Sequence, residues 1–217
     1  MKTILWKVDM QNNFLYEEDK FENALTIPNA VEIISTAKKV TDIAKNYGIQ
    51  IVSTADWHLE DSKEISKNPD FKETYPPHCM AGTLGAEIID ELKPENPYVI
   101  EWTKKYESLN EAKNYEDILI KKDKFDVFAG NPNTENLIKE LNPNRVIVYG
   151  VATNVCVDQA ISGLRKLVDE VYVVKDAIYE LPNEMAQKSL EKTLNEWTST
   201  EKPVRFINSH SMVNYLK

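Results

Sequence analysis

The stretch that decides the fold runs from Arg145 to Leu164 and begins RVIVYGVATNVCVDQAI. Its first half is a run of apolar and β-branched residues, which is typical of a strand buried on both faces. Its second half places Val157, Ala160 and Leu164 on one face of a helix. A strand that leads directly into a helix is half of a parallel βαβ unit. This stretch therefore predicts an α/β protein.

The same alternation recurs elsewhere in the chain. Apolar runs predict strands at 4–8, 51–55, 98–100 and 171–174, and helical spacing predicts helices at 33–44, 86–92 and 183–197. We expect one three-layer α/β/α domain over residues 1–217 with a mainly parallel sheet. Residues 103–121 are polar and poorly periodic, and we interpret them as a surface excursion. Functional residues are expected just after the apolar runs, because parallel sheets bind ligands beyond the carboxyl ends of their strands.

The composition limits the class of partner. The chain has 217 residues, of which 42% are hydrophobic and 28% charged, and this balance is ordinary for a soluble protein. Its formal net charge of −9 argues against nucleic acid or an anionic membrane, because both select basic surfaces. No segment approaches the roughly 18 consecutive apolar residues of a membrane span, and the N-terminus lacks the pattern of a signal peptide.

Only two cysteines are present, Cys79 and Cys156. Without a secretion signal, we predict that both are free thiols in a reducing cytoplasm. The sequence leaves the oligomeric state open, including a homo-oligomer.

Cys156 is a candidate nucleophile because it lies where the predicted strand turns into a helix. With Thr153 or Asn154 as the N-cap, Cys156 falls in the first turn, where free N–H groups and the helix dipole favour a thiolate. Asp9 ends the first apolar run and brings a carboxylate to the same edge of the sheet, and a base beside a thiol is what nucleophilic acyl transfer requires. The alternatives are a small buried cysteine and an aspartate that caps a turn.

Three segments carry a resemblance to a known family. DMQNNF at 9–14, GVATNVCV at 150–157 and VVKDA at 173–177 resemble the corresponding motifs of the isochorismatase-like cysteine hydrolases. The resemblance implies the fold of that superfamily, with Cys156 as nucleophile and Asp9 as base. It also implies a cis peptide bond between Val151 and Ala152, and an oxyanion hole made of the backbone N–H groups of Ala152 and Cys156.

The third catalytic residue of that family is a lysine. KDKFDVF at 122–128 resembles the family segment that carries it, with Asp126 in place of the usual serine. Lys122 keeps the family spacing to both aromatic residues and is our candidate, with Lys121 and Lys124 as alternatives in a shifted register. The remaining alternative is a solvated lysine in a basic run.

A candidate metal site lies in two other segments. Asp56 and His58 are two residues apart in a predicted extended chain, so their side chains point the same way, and a second imidazole comes from His78. A carboxylate with two imidazoles suits a divalent ion, zinc first and iron or manganese as alternatives. DWH at 56–58 and PPHCMAGTLG at 76–85 resemble the metal-binding segments of the nicotinamidase branch. That branch often supplies a further ligand nearby, and Glu64 has the matching spacing, with Asp61 and Ser62 as alternatives.

The resemblance implies a nicotinamidase, which hydrolyses nicotinamide to nicotinate and ammonia through a cysteine thioester, in NAD salvage. Phe14 and Tyr75 occupy motif positions that suit the walls of a flat ring, with Trp57 and Phe125 as weaker candidates. Three rival hypotheses remain at this point: an amidase of the same superfamily with another small amide, a hydrolase that uses metal-activated water, and a binding protein without activity.

Overall fold

The computed structural model describes residues 1–216. The strands are β1 (Thr3–Val8), β2 (Gln50–Asp56), β3 (Tyr98–Ile100), β4 (Asp117–Lys122), β5 (Arg145–Val151), β6 (Glu170–Tyr179) and β7 (Arg205–Ile207). The α-helices are α1 (Asn12–Leu15), α2 (Ile34–Asn46), α3 (Val127–Gly130), α4 (Thr134–Leu141), α5 (Asp158–Leu164) and α6 (Leu190–Thr198). A π-helical turn (Thr153–Val157) joins β5 to α5. Short 3₁₀ segments span Ala30–Ile33, Leu84–Ala86, Asp90–Leu92, Asn110–Asn114, Asn183–Met185 and Ser209–Tyr215.

The strands form one sheet in the order β3-β4-β2-β1-β5-β6-β7. All six neighbouring pairs are parallel. Every residue of β1 and β5 is buried, as expected for central strands covered on both faces. The predicted fold class, a three-layer α/β/α domain with a parallel sheet, is confirmed.

The topology fixes where a site can form. In the strand order, β2 is the neighbour of β1 in one direction, and β6 is the neighbour of β5 in the opposite direction. The connections β1–β2 and β5–β6 therefore cross over in opposite directions. Right-handed crossovers in opposite directions lie on opposite faces, so a crevice opens between the carboxyl ends of β1 and β5. Asp9 follows β1 directly and Ala152 follows β5 directly. Two of the predicted motifs therefore meet at this crevice.

Gly150 allows β1 and β5 to approach each other at that point. Its φ angle is +127°, and a Cβ atom there would lie 2.1 Å from the carbonyl oxygen of Val8. A larger residue would push the two strands apart next to the crevice.

The prediction of a surface excursion over 103–121 is wrong for its last part. Residues Asp117–Lys122 form β4, which lies inside the sheet between β2 and β3. The sequence of β4 is short and has charged residues at both ends, so its two buried isoleucines, Ile118 and Ile120, gave a weak periodic signal. The predicted helix over 86–92 is also wrong, because only the 3₁₀ segments Leu84–Ala86 and Asp90–Leu92 form there. Strand β7 has three residues and was not predicted.

The predicted N-cap is corrected as well. The π-helical turn starts after Ala152, whose side chain has no capping hydrogen bond, and neither Thr153 nor Asn154 caps it. The Asn154 amide is engaged elsewhere, by backbone groups of the segment after β6. Within residues 1–216, no helix has both the length and the apolar character needed to cross a membrane.

Candidate active site

Asp9, Lys122 and Cys156 converge at the crevice from three different strand ends. Lys122 Nζ lies 2.9 Å from Asp9 Oδ2 and 4.0 Å from Cys156 Sγ. Asp9 and Lys122 are fully buried, and Cys156 retains 7% exposure at the wall of a cavity. The structure thus brings together the three residues that the sequence proposed as a catalytic set, and it contains the cis peptide bond between Val151 and Ala152.

Lys122 is held between two carboxylates. Its ammonium pairs with Asp56 as well as with Asp9. Burial alone would lower the pKa of Lys122, but the charges of Asp56 and Asp9 outweigh burial and hold the pKa well above its usual value. The neighbouring Lys121 instead pairs with Glu101 at 3.0 Å and lies over the ring of Trp57. Of these two adjacent lysines, only Lys122 reaches the thiol.

Both the side chain and the backbone of Asp9 are fixed by hydrogen bonds to Thr54. The Thr54 hydroxyl donates to Asp9 Oδ1 at 2.5 Å, and the Asp9 N–H donates to the carbonyl of Thr54. Burial raises the pKa of Asp9, while the Lys122 ammonium opposes that rise. Such a carboxylate is a better proton acceptor than a solvated aspartate.

Cys156 lies in the π-helical turn. Burial raises the pKa of its thiol well above the usual value, and the Lys122 ammonium offsets part of this rise. Because the resting thiol keeps its proton, nucleophilic attack requires a base. A carboxylate oxygen of Asp9 and one of Asp56 both lie within 4.8 Å of the sulfur, and Asp56 also faces the two histidines His58 and His78, so Asp9 is the candidate base.

Two further polar residues shape the site, and sequence reasoning did not single them out. The Gln11 amide donates to the carbonyls of Asp56 and Ala86 and accepts the N–H of Asp56 at 2.8 Å. The Asn13 side chain accepts the N–H of Cys79 at 2.8 Å, which fixes the loop that carries the second histidine. Both residues belong to the DMQNNF motif, so the available signal was their place directly after Asp9.

Asp56, His58 and His78 form a cluster whose ligand atoms all lie within 4.8 Å of one another. Nε2 of each imidazole is 4.0 Å from Asp56 Oδ2. The Nδ1 atom of His78 is paired with the carbonyl of Pro76 at 2.8 Å, which leaves Nε2 to face the cluster.

The chemistry of this cluster fits a divalent cation. Burial lowers the pKa of His58 to about 3 and also lowers the pKa of His78, so both imidazoles are neutral and suited to coordination. Within residues 1–216, neither ring nitrogen of the buried His58 has a hydrogen-bond partner. Leaving such groups unsatisfied is unfavourable, and a bound cation would relieve that penalty.

Glu64 lies on the cavity wall but outside that cluster of three. Its Oε2 accepts the N–H of Phe125 at 2.8 Å. Burial, followed by the negative charge of Asp56, raises the pKa of Glu64 to about 8. The alternative Ser62 is engaged by the N–H of Leu59. Glu64 as a further metal ligand therefore stays a prediction.

The cavity is narrow and mainly apolar. Phe14, Tyr75 and Phe125 line it, whereas the Trp57 ring lies under Lys121. Contact of these rings with a substrate stays a prediction. The His78 ring centroid is 5.6 Å from that of Phe14 and 6.2 Å from that of Tyr75. The other lining residues are Leu25, Ile27, Asp56, Glu64, His78, Ala152, Val155, Cys156 and Leu181.

The sequence of the chain also matches a known protein family. A family model described as the isochorismatase domain matches residues 3–202. The chain belongs to the isochorismatase family. The resemblance inferred from the sequence motifs is confirmed at this level, and the protein is an isochorismatase-like hydrolase.

Individual relatives are distant and differ in substrate. The chain is 23% identical over 206 residues to ureidoacrylate amidohydrolase RutB of Agrobacterium fabrum, a match that covers 87% of this chain and 80% of that protein. It is 28% identical over 113 residues to a nicotinamidase of Saccharomyces cerevisiae, which covers 42% of this chain and 50% of that protein. The crystal structure of a pyrazinamidase of Pyrococcus horikoshii in complex with zinc superposes with a TM-score of 0.70 at 25% identity, covering 96% of this chain and 99% of that one.

Proposed function

We propose that this protein is a cysteine-dependent amidohydrolase that converts nicotinamide to nicotinate and ammonia in the cytoplasm, as a step of NAD salvage. The main support is the convergence of Asp9, Lys122 and Cys156 in one buried site. This site opens onto an aromatic-lined cavity that also borders Asp56 and His78.

The reaction begins with the thiol of Cys156. Asp9 accepts the thiol proton, and the Lys122 ammonium stabilises the thiolate as it forms. The sulfur attacks the amide carbonyl, and the backbone N–H groups of Ala152 and Cys156 hold the oxyanion of the tetrahedral intermediate. Asp9 then returns the proton to the departing nitrogen, so ammonia leaves and a thioester remains on Cys156. Water deprotonated by Asp9 cleaves the thioester and releases the carboxylic acid and the free thiol.

Asp56, His58 and His78 would hold the divalent ion. When bound, the ion polarises and orients a ligand that approaches it from the cavity, such as the nitrogen of a heteroaromatic ring. The rings of Phe14, Tyr75 and Phe125 provide apolar walls for a flat substrate. These walls hold the ring while its carboxamide faces Cys156.

The charge of the cavity favours a neutral amide. No lysine or arginine among residues 1–216 lines the cavity wall, where the ionisable groups are Asp56, Glu64, Tyr75, His78 and Cys156. The Lys122 ammonium, 4.0 Å from the sulfur of the lining residue Cys156, is already paired with two carboxylates. Without a bound cation, a substrate carboxylate would therefore lose its hydration without gaining a counter-charge from a side chain of the cavity wall.

A second candidate is an amidohydrolase acting on a carbamoylated acid. It is supported by the length of the match to ureidoacrylate amidohydrolase, which covers far more of this chain than the match to the yeast nicotinamidase does. The same triad would perform the same acyl transfer on that substrate.

Ammonia release tests both candidates. Protein loaded with zinc, and in parallel with iron or manganese, is assayed with nicotinamide and with ureidoacrylate. We expect release from nicotinamide, its loss in Cys156→Ala, and its retention in Cys79→Ala, the matched control at the only other cysteine. Preference for ureidoacrylate would replace the substrate assignment, and full activity in Cys156→Ala would contradict cysteine dependence.

A further inference from the structure

The segment after β6 connects two walls of the cavity. We call residues 181–188 the cover segment. Leu181 at its start lines the cavity, and in its middle the carbonyl of Met185 accepts a hydrogen bond from the hydroxyl of Tyr75, another lining residue, at 3.1 Å. Gln187 also donates to the carbonyl of Lys72, in the same loop as Tyr75. The cover segment thus runs from one cavity wall to the other.

One side chain of the nucleophile turn holds both ends of this segment. Asn154 Oδ1 accepts the N–H of Leu181 at 2.9 Å, and Nδ2 donates to the carbonyls of Leu181 at 2.9 Å and Lys188 at 3.1 Å. Asn154 is 2% exposed. Both donor hydrogens and the acceptor oxygen of the amide are therefore used on the cover segment.

A second tie reinforces this attachment. Lys188 Nζ lies 2.8 Å from Asp158 Oδ2, at the start of α5, and Asp158 Oδ1 accepts the indole N–H of Trp197 at 2.7 Å. The Lys188–Asp158 ion pair is partly exposed, whereas the two Asn154 bonds to Leu181 are buried, so the amide provides the more specific restraint on Leu181.

We propose that Asn154 is a positioning residue that holds Leu181 in place as a cavity wall and so limits the size of the group that reaches Cys156. Asn154 lies two residues before Cys156 in the same turn, and Leu181 and Cys156 line the same cavity. Without the amide, the N–H and carbonyl of Leu181 lose their partners and the wall moves outward. The inference rests on Cys156 being the accessible thiol and does not depend on nicotinamide as the substrate.

The test compares two alkylating reagents of different size on the full-length protein. Rates of Cys156 labelling are measured with iodoacetamide and with the bulkier N-ethylmaleimide, and peptide mass spectrometry separates Cys156 from Cys79. A change in the fraction of thiolate scales both rates by the same factor and cancels in their ratio, whereas movement of the wall favours the larger reagent. We expect Asn154→Ala to raise the N-ethylmaleimide to iodoacetamide ratio by about tenfold.

Two further variants separate positioning from a general structural role. Leu181→Ala removes the wall directly and should raise the ratio by a similar factor, and adding Asn154→Ala to it should raise the ratio no further. Asn183→Ala is the matched control, because Asn183 lies in the same segment but its side chain, among residues 1–216, bonds only the N–H of Leu190, and the variant should leave the ratio unchanged.

Three outcomes would overturn the proposal: an unchanged ratio in Asn154→Ala, multiplying effects in the double variant, or an equal rise in Asn183→Ala. If Asn154→Ala does not fold, Tyr75→Phe removes the hydroxyl that bonds the carbonyl of Met185, in the middle of the cover segment, while keeping the ring. That variant should raise the ratio by a smaller factor, and an unchanged ratio there would also overturn the proposal. Wild-type Cys156 that reacts with neither reagent would contradict both this inference and the proposed nucleophile, whereas inactivity towards nicotinamide alone leaves the ratios as the deciding result.

Discussion

Two fully buried lysines of the same sheet have opposite electrostatic surroundings. Lys7 lies within β1 and donates to the carbonyl of Leu92, and burial lowers its pKa to about 8. Lys122 ends β4 and pairs with Asp9 and Asp56, which hold its pKa well above the usual value. Of residues 1–216, none gives Lys7 an ion pair.

Their places along the strands explain the difference. Lys7 is flanked in register by Ser53 on β2 and Tyr149 on β5, in the middle of the sheet, where neighbours are fixed by strand pairing. Lys122 lies at the carboxyl edge, where side chains from separate strands and loops converge. A buried lysine compensated by carboxylates at that edge is a candidate for chemistry, whereas Lys7 is a local penalty that the rest of the fold offsets.

Of the substitutions that test the difference between Lys7 and Lys122, removal of the Lys122 charge should have the largest effect on activity and stability. We expect Lys122→Met to reduce kcat/KM for amide hydrolysis by about a thousandfold or more, because the thiolate loses its cation and Asp9 its partner. The buried carboxylates of Asp9 and Asp56 also lose their counter-charge, which should lower the free energy of unfolding by about 3–5 kcal/mol at neutral pH. Kinetics and denaturant titration measure the two effects.

Lys121→Met is the matched control for that experiment. Its partner Glu101 is partly exposed and belongs to neither the triad nor the metal cluster, so activity should stay within about twofold of wild type. Equal losses in the two variants would remove the distinction drawn between these neighbouring lysines.

Asp56 pairs with Lys122 through one oxygen and faces His58 and His78 through the other, so the next substitution tests the metal cluster. We expect His58→Ala to lose most of its bound zinc and to reduce activity by about a hundredfold, because a first ligand is missing. Metal content by elemental analysis after dialysis measures the first effect, and ammonia release measures the second. His210→Ala is the control, because His210 is exposed and distant in sequence from the cluster. Zinc retained at full stoichiometry in His58→Ala would contradict the assigned ligand set.

Replacing Lys7 should have the opposite sign on stability. Lys7→Met removes a buried charge without removing an ion pair, so we expect the free energy of unfolding to rise by about 1–3 kcal/mol at pH 7 with unchanged activity. Denaturant titration beside Lys122→Met provides the comparison. Destabilisation by Lys7→Met of the same size as that by Lys122→Met would show that the two lysines play equivalent roles.

The smallest expected effect is the pH dependence of the stability that Lys7→Met gains over the wild type. The pKa of Lys7 is about 8 in the folded protein, against 10.5 for an ordinary lysine, so the unfolded chain binds more protons between those values. Wild-type stability should therefore rise with pH relative to Lys7→Met, and the advantage of the variant should shrink between pH 8 and about 10. A constant difference over this range would mean that Lys7 is not the titrating group.

The sequence predicted those parts of the molecule that depend on local pattern. β1, β2 and β5 are long apolar runs, and Asp9, Asp56 and Cys156 follow or end them, so their common edge could be inferred from the fold class. Lys122 was found through its motif, although the strand that positions it, β4, was mistaken for surface because charged residues frame its buried isoleucines.

Other features of the site depend on distant contacts that leave no local signal. Thr54 bonds Asp9 across 45 residues, and Asn154 bonds Leu181 across 27. Lys7 gave no indication of burial, because a lysine side chain is almost never fully buried without a charged partner. Only the packing of β1 between β2 and β5 reveals it.

Trapping the acyl intermediate tests the central claim most directly. The metal-loaded protein is incubated with nicotinamide, or with the amide it hydrolyses fastest, in the presence of increasing hydroxylamine. A thioester on Cys156 should partition between water and hydroxylamine, so hydroxamate should accumulate at the expense of the acid and should be absent with Cys156→Ala. Continued ammonia release with the acid as the sole product at every hydroxylamine concentration, and with the same outcome in Cys156→Ala, would contradict the account.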